Sequence, residues 1–241
     1  MQAHPRPGVY LRQVDLPGIH SKFIEAHRGV LAELFDLALP ASAVAGEHTG
    51  VGGFCARYGF CEKPLRIRLR VLDPNLTLVP GVALPDLTLD AASFARLDAP
   101  ITRVFITENE TNFLAFPETP GSIVLFGAGY GWEMLAGAEW LSRCAIHYWG
   151  DIDTHGFAIL DQLRQRLGHV ESFLMDRTTL MVHEAMWGVE PEPIAHALFN
   201  LTAEERRLYD DLRDNRVRSR LRLEQEHVGY GMVSAALAKL A

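Results

Sequence analysis

Two short apolar runs, each ending in carboxylates, constrain this chain more than any other feature. The first is Arg103-Val-Phe-Ile-Thr-Glu-Asn-Glu110 and the second leads from Ala145 into Tyr148-Trp-Gly-Asp-Ile-Asp-Thr-His-Gly156. Val104, Phe105 and Ile106, like Ile146, Tyr148 and Trp149, suit a pleated, buried surface. A helix-like run follows each. Residues 96–200 alternate strand and helix patterns, which predicts an α/β fold with a parallel sheet flanked by helices. Strands are expected near 103–107, 122–126, 145–150 and 170–175, with helices starting near Asn112, Gly131 and His155. In open α/β sheets, ligands bind at the carboxyl ends of the strands. Two acidic clusters at two such ends can converge on one point. Their repulsion calls for a cation, and hard cations such as Mg²⁺ take oxygen ligands.

The spacing within each cluster supports this. Residues two apart on a strand point to the same side, so Asp151 and Asp153 can reach one ion. Gly156 permits a tight strand-to-helix turn just after them. Glu108 lies next to its strand and is the first ligand expected there; Glu110 is a second ligand or a general base. His155 joins the candidates because it adjoins the Asp pair. The structural alternative is a helix N-terminus decorated with acids that its dipole favours, and a capped turn at Glu108-Asn-Glu110. Taken together, the two clusters favour a Mg²⁺ or Mn²⁺ site held by Glu108, Asp151 and Asp153.

Two other motifs carry less. Gly127-Ala-Gly-Tyr-Gly131 stands between a strand and a helix but lacks the third glycine of the dinucleotide fingerprint and its acidic ribose partner, so a tight turn is favoured. His183-Glu184 begins like a zinc-protease motif, but position 187 is Trp. The 3 cysteines have no paired short spacing, which argues against a disulfide framework and a structural zinc site. No apolar run is long enough to span a bilayer, so no membrane partner is expected.

Before the alternating region the pattern differs. Met1 to Gly18 is rich in Pro and Gly, Ser21 to Leu39 has helical periodicity with Ser21 as its cap, and Pro40 stops it. Leu65 to Leu72 alternates strictly, placing Leu65, Ile67, Leu69 and Val71 inward and Arg66, Arg68 and Arg70 on the other face. Residues 1–95 thus read as a small α+β module. After the alternating region, Thr202 and Glu205 form a capping box, and a last helix is expected from about Arg218 to Leu240, bent near Gly229 and Gly231.

The net charge of −7 disfavours indiscriminate nucleic-acid binding but leaves room for a local basic face. Two groups of arginines are candidates for phosphate contact: Arg66, Arg68 and Arg70 on their strand, and Arg216, Arg218 and Arg220 in the run between 213 and 222. Solvated strand and helix faces are the alternative. Glu224 and Glu226 follow the second group, and their place is left open.

A strand ending in Glu and a later strand ending in Asp-x-Asp resemble the Toprim signature of topoisomerases, primases and some nucleases. Asp151-Ile-Asp-Thr-His-Gly-Phe157 looks like the Asp-x-Asp-Pro-x-Gly segment of the topoisomerase VI A subunit, with Thr154 where proline is usual. The stretches 107–117, 126–130, 148–157, 174–180 and 223–226, with 10–13 and 22–25 upstream, more closely resemble the C-terminal region of the Wadjet anti-plasmid nuclease subunit family, JetD. The resemblance implies a winged-helix-like module over 1–95 and a Toprim domain over 96–241. It also implies a homodimer and Mg²⁺- or Mn²⁺-dependent cleavage of double-stranded plasmid DNA delivered by an SMC-like Wadjet complex (JetABC); the cytoplasmic location expected for the chain comes instead from its unpaired cysteines, read as reduced thiols. Glu108, Asp151 and Asp153 take the metal-binding roles. The family's long N-terminal arm domain has no counterpart, so the chain is expected to be a fragment or a short form. Two rival functions are a non-catalytic DNA-binding or assembly module and a topoisomerase-like transesterase using Tyr58 or another tyrosine.

Overall fold

The computed structural model describes residues 6–127, 132–135 and 137–240; of the Gly127–Gly131 motif, all but Gly127 lies outside them. The chain divides into two compact units at 64/65. The break expected at 95/96 does not separate them, because the strands before it are built into the large sheet of the second unit.

In the first unit, α1 (Ser21–Ala26) and α2 (Arg28–Ala38) replace the single helix expected over 21–39, and α3 (Phe54–Arg57) follows. The break falls at His27, whose ring takes up the Phe23 carbonyl at 2.8 Å and stacks on the Phe23 ring. The cap of α1 is His20 rather than Ser21: its Nδ1 accepts the Phe23 amide. A small core gathers Ile24, Leu39, Phe54, Tyr58 and Phe60.

The second unit holds β1 (Arg66–Val71), β2 (Asp86–Asp90), α4 (Ala91–Ala95), β3 (Arg103–Thr107), α5 (Glu110–Ala115), β4 (Ser122–Phe126) and β5 (Ala145–Trp149). There follow α6 (Thr154–Leu167), β6 (Val170–Ser172), α7 (Arg177–Val182), β7 (Gly188–Val189), α8 (Ala203–Arg213), β8 (Leu221–Arg222) and α9 (Tyr230–Leu240). Six strands form one sheet in the order β2-β1-β4-β3-β5-β6. The four strands from β4 to β6 are parallel and β1 runs antiparallel to both neighbours. Nearly every residue of β3, β4 and β5 is buried, as parallel strands covered on both faces require.

The four strands expected from the sequence are present; β6 stops at Ser172, and the left-handed residue Leu174 (φ 54°) follows. α8 carries the expected capping box on Thr202 and Glu205. Glu205 also ties α8 to α6 through Arg164, at 2.5 and 2.9 Å. The last expected helix is different. Leu221 and Leu223 are buried while Arg222 and Glu224 are partly exposed, a period of two that makes this segment extended. It pairs with β7, and the helix proper begins at Tyr230.

Candidate functional site

From β3 the chain moves to β4 on one side and later returns to β5 on the other, so the β3/β5 crevice is the sheet's topological switch point. Thr107 and Trp149 are partners across these two strands, so the strand ends are level. Glu108 leaves one end, and Asp151 and Asp153 follow the other. All three line one cavity of about 480 Å³, together with His155, Glu190 and Arg222. The tight turn expected at Gly156 is required sterically, since a Cβ there would sit 2.1 Å from the Asp151 carbonyl oxygen.

Each acid is held by particular partners. Glu108 is half-buried, and its Oε1 accepts the Tyr148 hydroxyl. Asp153 caps α6: its Oδ1 accepts the Gly156 amide at 2.7 Å. The structural alternative of an acid serving a helix N-terminus is therefore real, but it uses only one of the two oxygens. Asp153 Oδ2 faces Arg222 Nε at 3.2 Å. Asp151 accepts the Gln225 amide on Oδ1 and Arg222 on Oδ2, with Nη2 at 2.5 Å.

This crowding of negative charge is only partly compensated. Burial pushes the Glu108 carboxyl up to about 7; Asp151 and Asp153 add to the rise and the Tyr148 hydrogen bond opposes it. Burial likewise pushes Asp153 up to about 6, with Glu190 and Asp151 raising it and the Gly156 amide and Arg222 lowering it. Burial and the Glu108 charge lift the Tyr148 phenol well above its ordinary value.

Not every expected site residue joins this group. Glu110 opens α5 and turns away to Arg68, 2.5 Å distant. His155 stands at the cavity rim with Nε2 on the Glu192 carbonyl at 2.8 Å and 3.9 Å from Glu190. Arg68 is held by Asp86 and Glu110, and Arg70 by carbonyls at the end of α5, including Phe116 at 2.5 Å. Arg216 pairs with Asp211 and Asp214, Arg218 reaches the Trp187 carbonyl, and Arg220 reaches the Glu190 carbonyl. Arg66 is exposed. Tyr58 is fully buried, its hydroxyl held by the Ala32 carbonyl at 2.9 Å and Asp36 at 2.7 Å, so it offers no nucleophile to a substrate.

Sequence reading missed four residues of the site. Tyr148 passed as an apolar strand residue, although a residue one before a strand's last position can reach the neighbouring strand's end. Glu190, buried, accepts the Thr154 hydroxyl at 2.6 Å and the amides of Thr154 and His155, and it follows a two-residue strand that leaves no local pattern. Gln225 accepts Thr107 and Asn112 with its side chain. Arg222 was absorbed into the basic run; the signal available was Arg222-Leu-Glu224, whose alternation matches Asp151-Ile-Asp153.

Among the described residues, no three His, Cys, Asp or Glu side chains are gathered into a ready-made ion cage. The donor chemistry fits a hard divalent cation nonetheless: Glu108, Asp151 and Asp153 offer only oxygen, and the carboxyls of Glu108 and Asp153 are raised by burial first and by their negative neighbours second. A larger cavity of about 920 Å³ lies around Glu171, Arg177 and Glu204, but several of its charges are already paired, as Arg164–Glu205 and Arg177–Asp211.

A largely parallel sheet flanked by helices, with acids at the carboxyl ends of two adjacent strands, defines a Toprim-like α/β fold. The family model described as Wadjet protein JetD, C-terminal, matches residues 59–237, and the chain belongs to that family. Membership ties it to the Wadjet system. Residues 1–36 match a second family model, described as an uncharacterized protein conserved in bacteria, N-term. No curated protein matches the chain. Among the described residues, no helix is long and apolar enough to cross a membrane.

Proposed function

We propose that this chain is a divalent-metal-dependent DNA nuclease of the Toprim type, cleaving circular plasmid DNA in Wadjet defence. One observation carries the reading: Glu108, Asp151 and Asp153 line a single cavity at the switch point, with raised carboxyls on Glu108 and Asp153. Those three would hold Mg²⁺ or Mn²⁺. When bound, the ion supplies Lewis acidity at the scissile phosphate. The chain's own residues do the rest. Tyr148 orients Glu108, the Gly156 amide and Asp153 fix each other, and Gln225 fixes Asp151. His155 and Glu190 border the space where a phosphodiester would lie. In keeping with the family resemblance, the working form is a homodimer fed by the SMC-like complex, with basic side chains positioning the DNA backbone.

A non-catalytic DNA-binding or assembly role is the second reading. It is favoured by the ion pairs that Arg222 makes with Asp151 and Asp153, which satisfy those acids in part without a metal. Incubating closed circular plasmid with the chain and Mn²⁺ or Mg²⁺, with and without the partner complex, separates the two. The nuclease reading expects linear product with the wild type and none with Glu108→Gln or Asp153→Asn. Intact plasmid in every arm, or undiminished cleavage by both variants, would sink it.

A further inference from the structure

The segment around β8 brings a cation to the acids in a way that geometry dictates. Ile152 and Leu223 exchange both backbone hydrogen bonds, at 2.9 and 3.1 Å, in an antiparallel bridge. Both side chains are buried. Because side chains alternate along extended backbone, the residues flanking Ile152 and those flanking Leu223 emerge on the same opposite side. Asp151 and Asp153 therefore stand against Arg222 and Glu224. The Arg222 guanidinium spans three carboxylates: Asp151 Oδ2 at 2.5 Å, Asp153 Oδ2 at 3.2 Å and Glu224 Oε1 at 3.1 Å.

The oxygens it takes are the significant ones. Asp151 Oδ1 is committed to the Gln225 amide, and Asp153 Oδ1 to the Gly156 amide. The remaining oxygen of each aspartate is the one that Arg222 occupies. A divalent ion approaching the Asp-x-Asp pair needs those same two oxygens, and it meets a fixed positive charge already on them. Opposite charges at this range attract strongly in a partly desolvated pocket, and like charges repel as strongly. The Arg222 side chain remains 30% exposed, so a path into solvent is open to it once displaced.

We infer that Arg222 is a tethered counter-ion of the carboxylate pocket, holding Asp151 and Asp153 in place without a metal and competing with a divalent cation for their free oxygens. The inference rests on the metal-dependent reading above and adds a regulation to it: the ion must outcompete an internal guanidinium, so the site loads only above a threshold of free cation. Glu224 is the alternative anchor that receives the guanidinium when the aspartates are taken. Arg222 is thus a positioning residue, acting through the acids it touches.

The test is direct binding of Mn²⁺ to the purified full chain, followed by loss of the free-ion electron paramagnetic resonance signal at fixed pH and ionic strength. Arg222→Gln should bind Mn²⁺ about tenfold more tightly than the wild type, the scale of one charge–charge contact removed at short range. Without the ion it should melt at a lower temperature, because its acids have lost their partner. Arg222→Lys keeps a cation on a shorter, single-point head and should fall between the two, which preserves the test if the glutamine variant folds poorly. Unchanged or weaker Mn²⁺ binding by both variants, with the wild type binding, overturns the counter-ion role and leaves the metal site standing. Absence of Mn²⁺ binding in the wild type and both variants overturns both readings.

Discussion

Asp153 has a structural duty that the structure shows and, in the proposed function, a second one as a metal ligand. Its Oδ1 caps α6 and its Oδ2 faces the pocket. Asp153→Ala removes both functions and should cost about 1 kcal/mol from the cap alone. Asp153→Asn keeps a capping oxygen and deletes only the charge. Thermal melts with and without Mn²⁺ should show a stabilising shift in the wild type, by mass action on the native state, and none in either variant. An equal shift in Asp153→Asn would place the ion elsewhere. The raised carboxyls make a second prediction. A folded-state acid whose carboxyl is raised binds its proton more tightly than in the unfolded chain, so folding favours the protonated form. Without metal, the contribution of these two carboxyls to stability should be fully present below the ordinary carboxylate range and should be lost as pH rises from there through about 6 for Asp153 and about 7 for Glu108. For Glu108 the loss is roughly 1–3 kcal/mol after allowance for its partial exposure. Urea unfolding at pH 5 and pH 8 should find this difference reduced in Glu108→Gln; an identical pH dependence in the variant would mean that other groups carry it.

Among the elements, the turn from β5 into α6 is the least forgiving. A methyl group on Gly156 would lie 2.1 Å from backbone oxygen, which cannot swing aside as a side chain can. Gly156→Ala should therefore lower stability by about 2 kcal/mol or more, read as a fall in the urea midpoint, and should displace Asp151. A variant of wild-type stability with unaltered Mn²⁺ binding would show that the turn relaxes freely. Elements of this kind were legible in the sequence because their determinants are local: β3, β4 and β5 are continuous apolar runs, and the α8 capping box needs only Thr202 and Glu205. The illegible elements depend on distant partners. β7 and β8 are two residues each and exist only through their mutual pairing, so the arginine-rich segment read as a helix. The break between α1 and α2 turns on one imidazole finding a carbonyl, a choice that helical periodicity does not encode. Arg222 and Glu190 were hidden for the same reason, since both are brought to the acids by those two short strands.

On the scale of the whole molecule, the difficulty is to bring a polyanion to an acidic pocket on a chain of net charge −7. The proposed DNA contact must be local, and only cations not already neutralised within the protein should contribute fully to the release of counterions. Of the candidate arginines, Arg68 and Arg216 each bridge two carboxylates. Arg70, Arg218 and Arg220 are tied to backbone carbonyls, and Arg220 also holds the left-handed backbone that leads into β8. Arg66 is exposed, with no hydrogen-bond partner among the described residues. Their places within the second unit were not legible from sequence, because strict alternation in β1 tells which side chains face out but not that α5 covers that face. The order of effects follows. Arg66→Ala should reduce the salt slope of DNA binding by about one unit, equally for unrelated sequences. Arg216→Ala should reduce it by less, since its loss also unburdens Asp211 and Asp214. Replacing Arg216, Arg218 and Arg220 together should depress cleavage more than binding, because Arg220 anchors the segment that carries Arg222 to the acids. Binding isotherms over a range of salt, beside plasmid cleavage by the same proteins, test this order. A full three-unit fall in slope for the triple variant, with the fold unchanged by circular dichroism, would mean that these ion pairs open onto DNA and that the phosphate path crosses them.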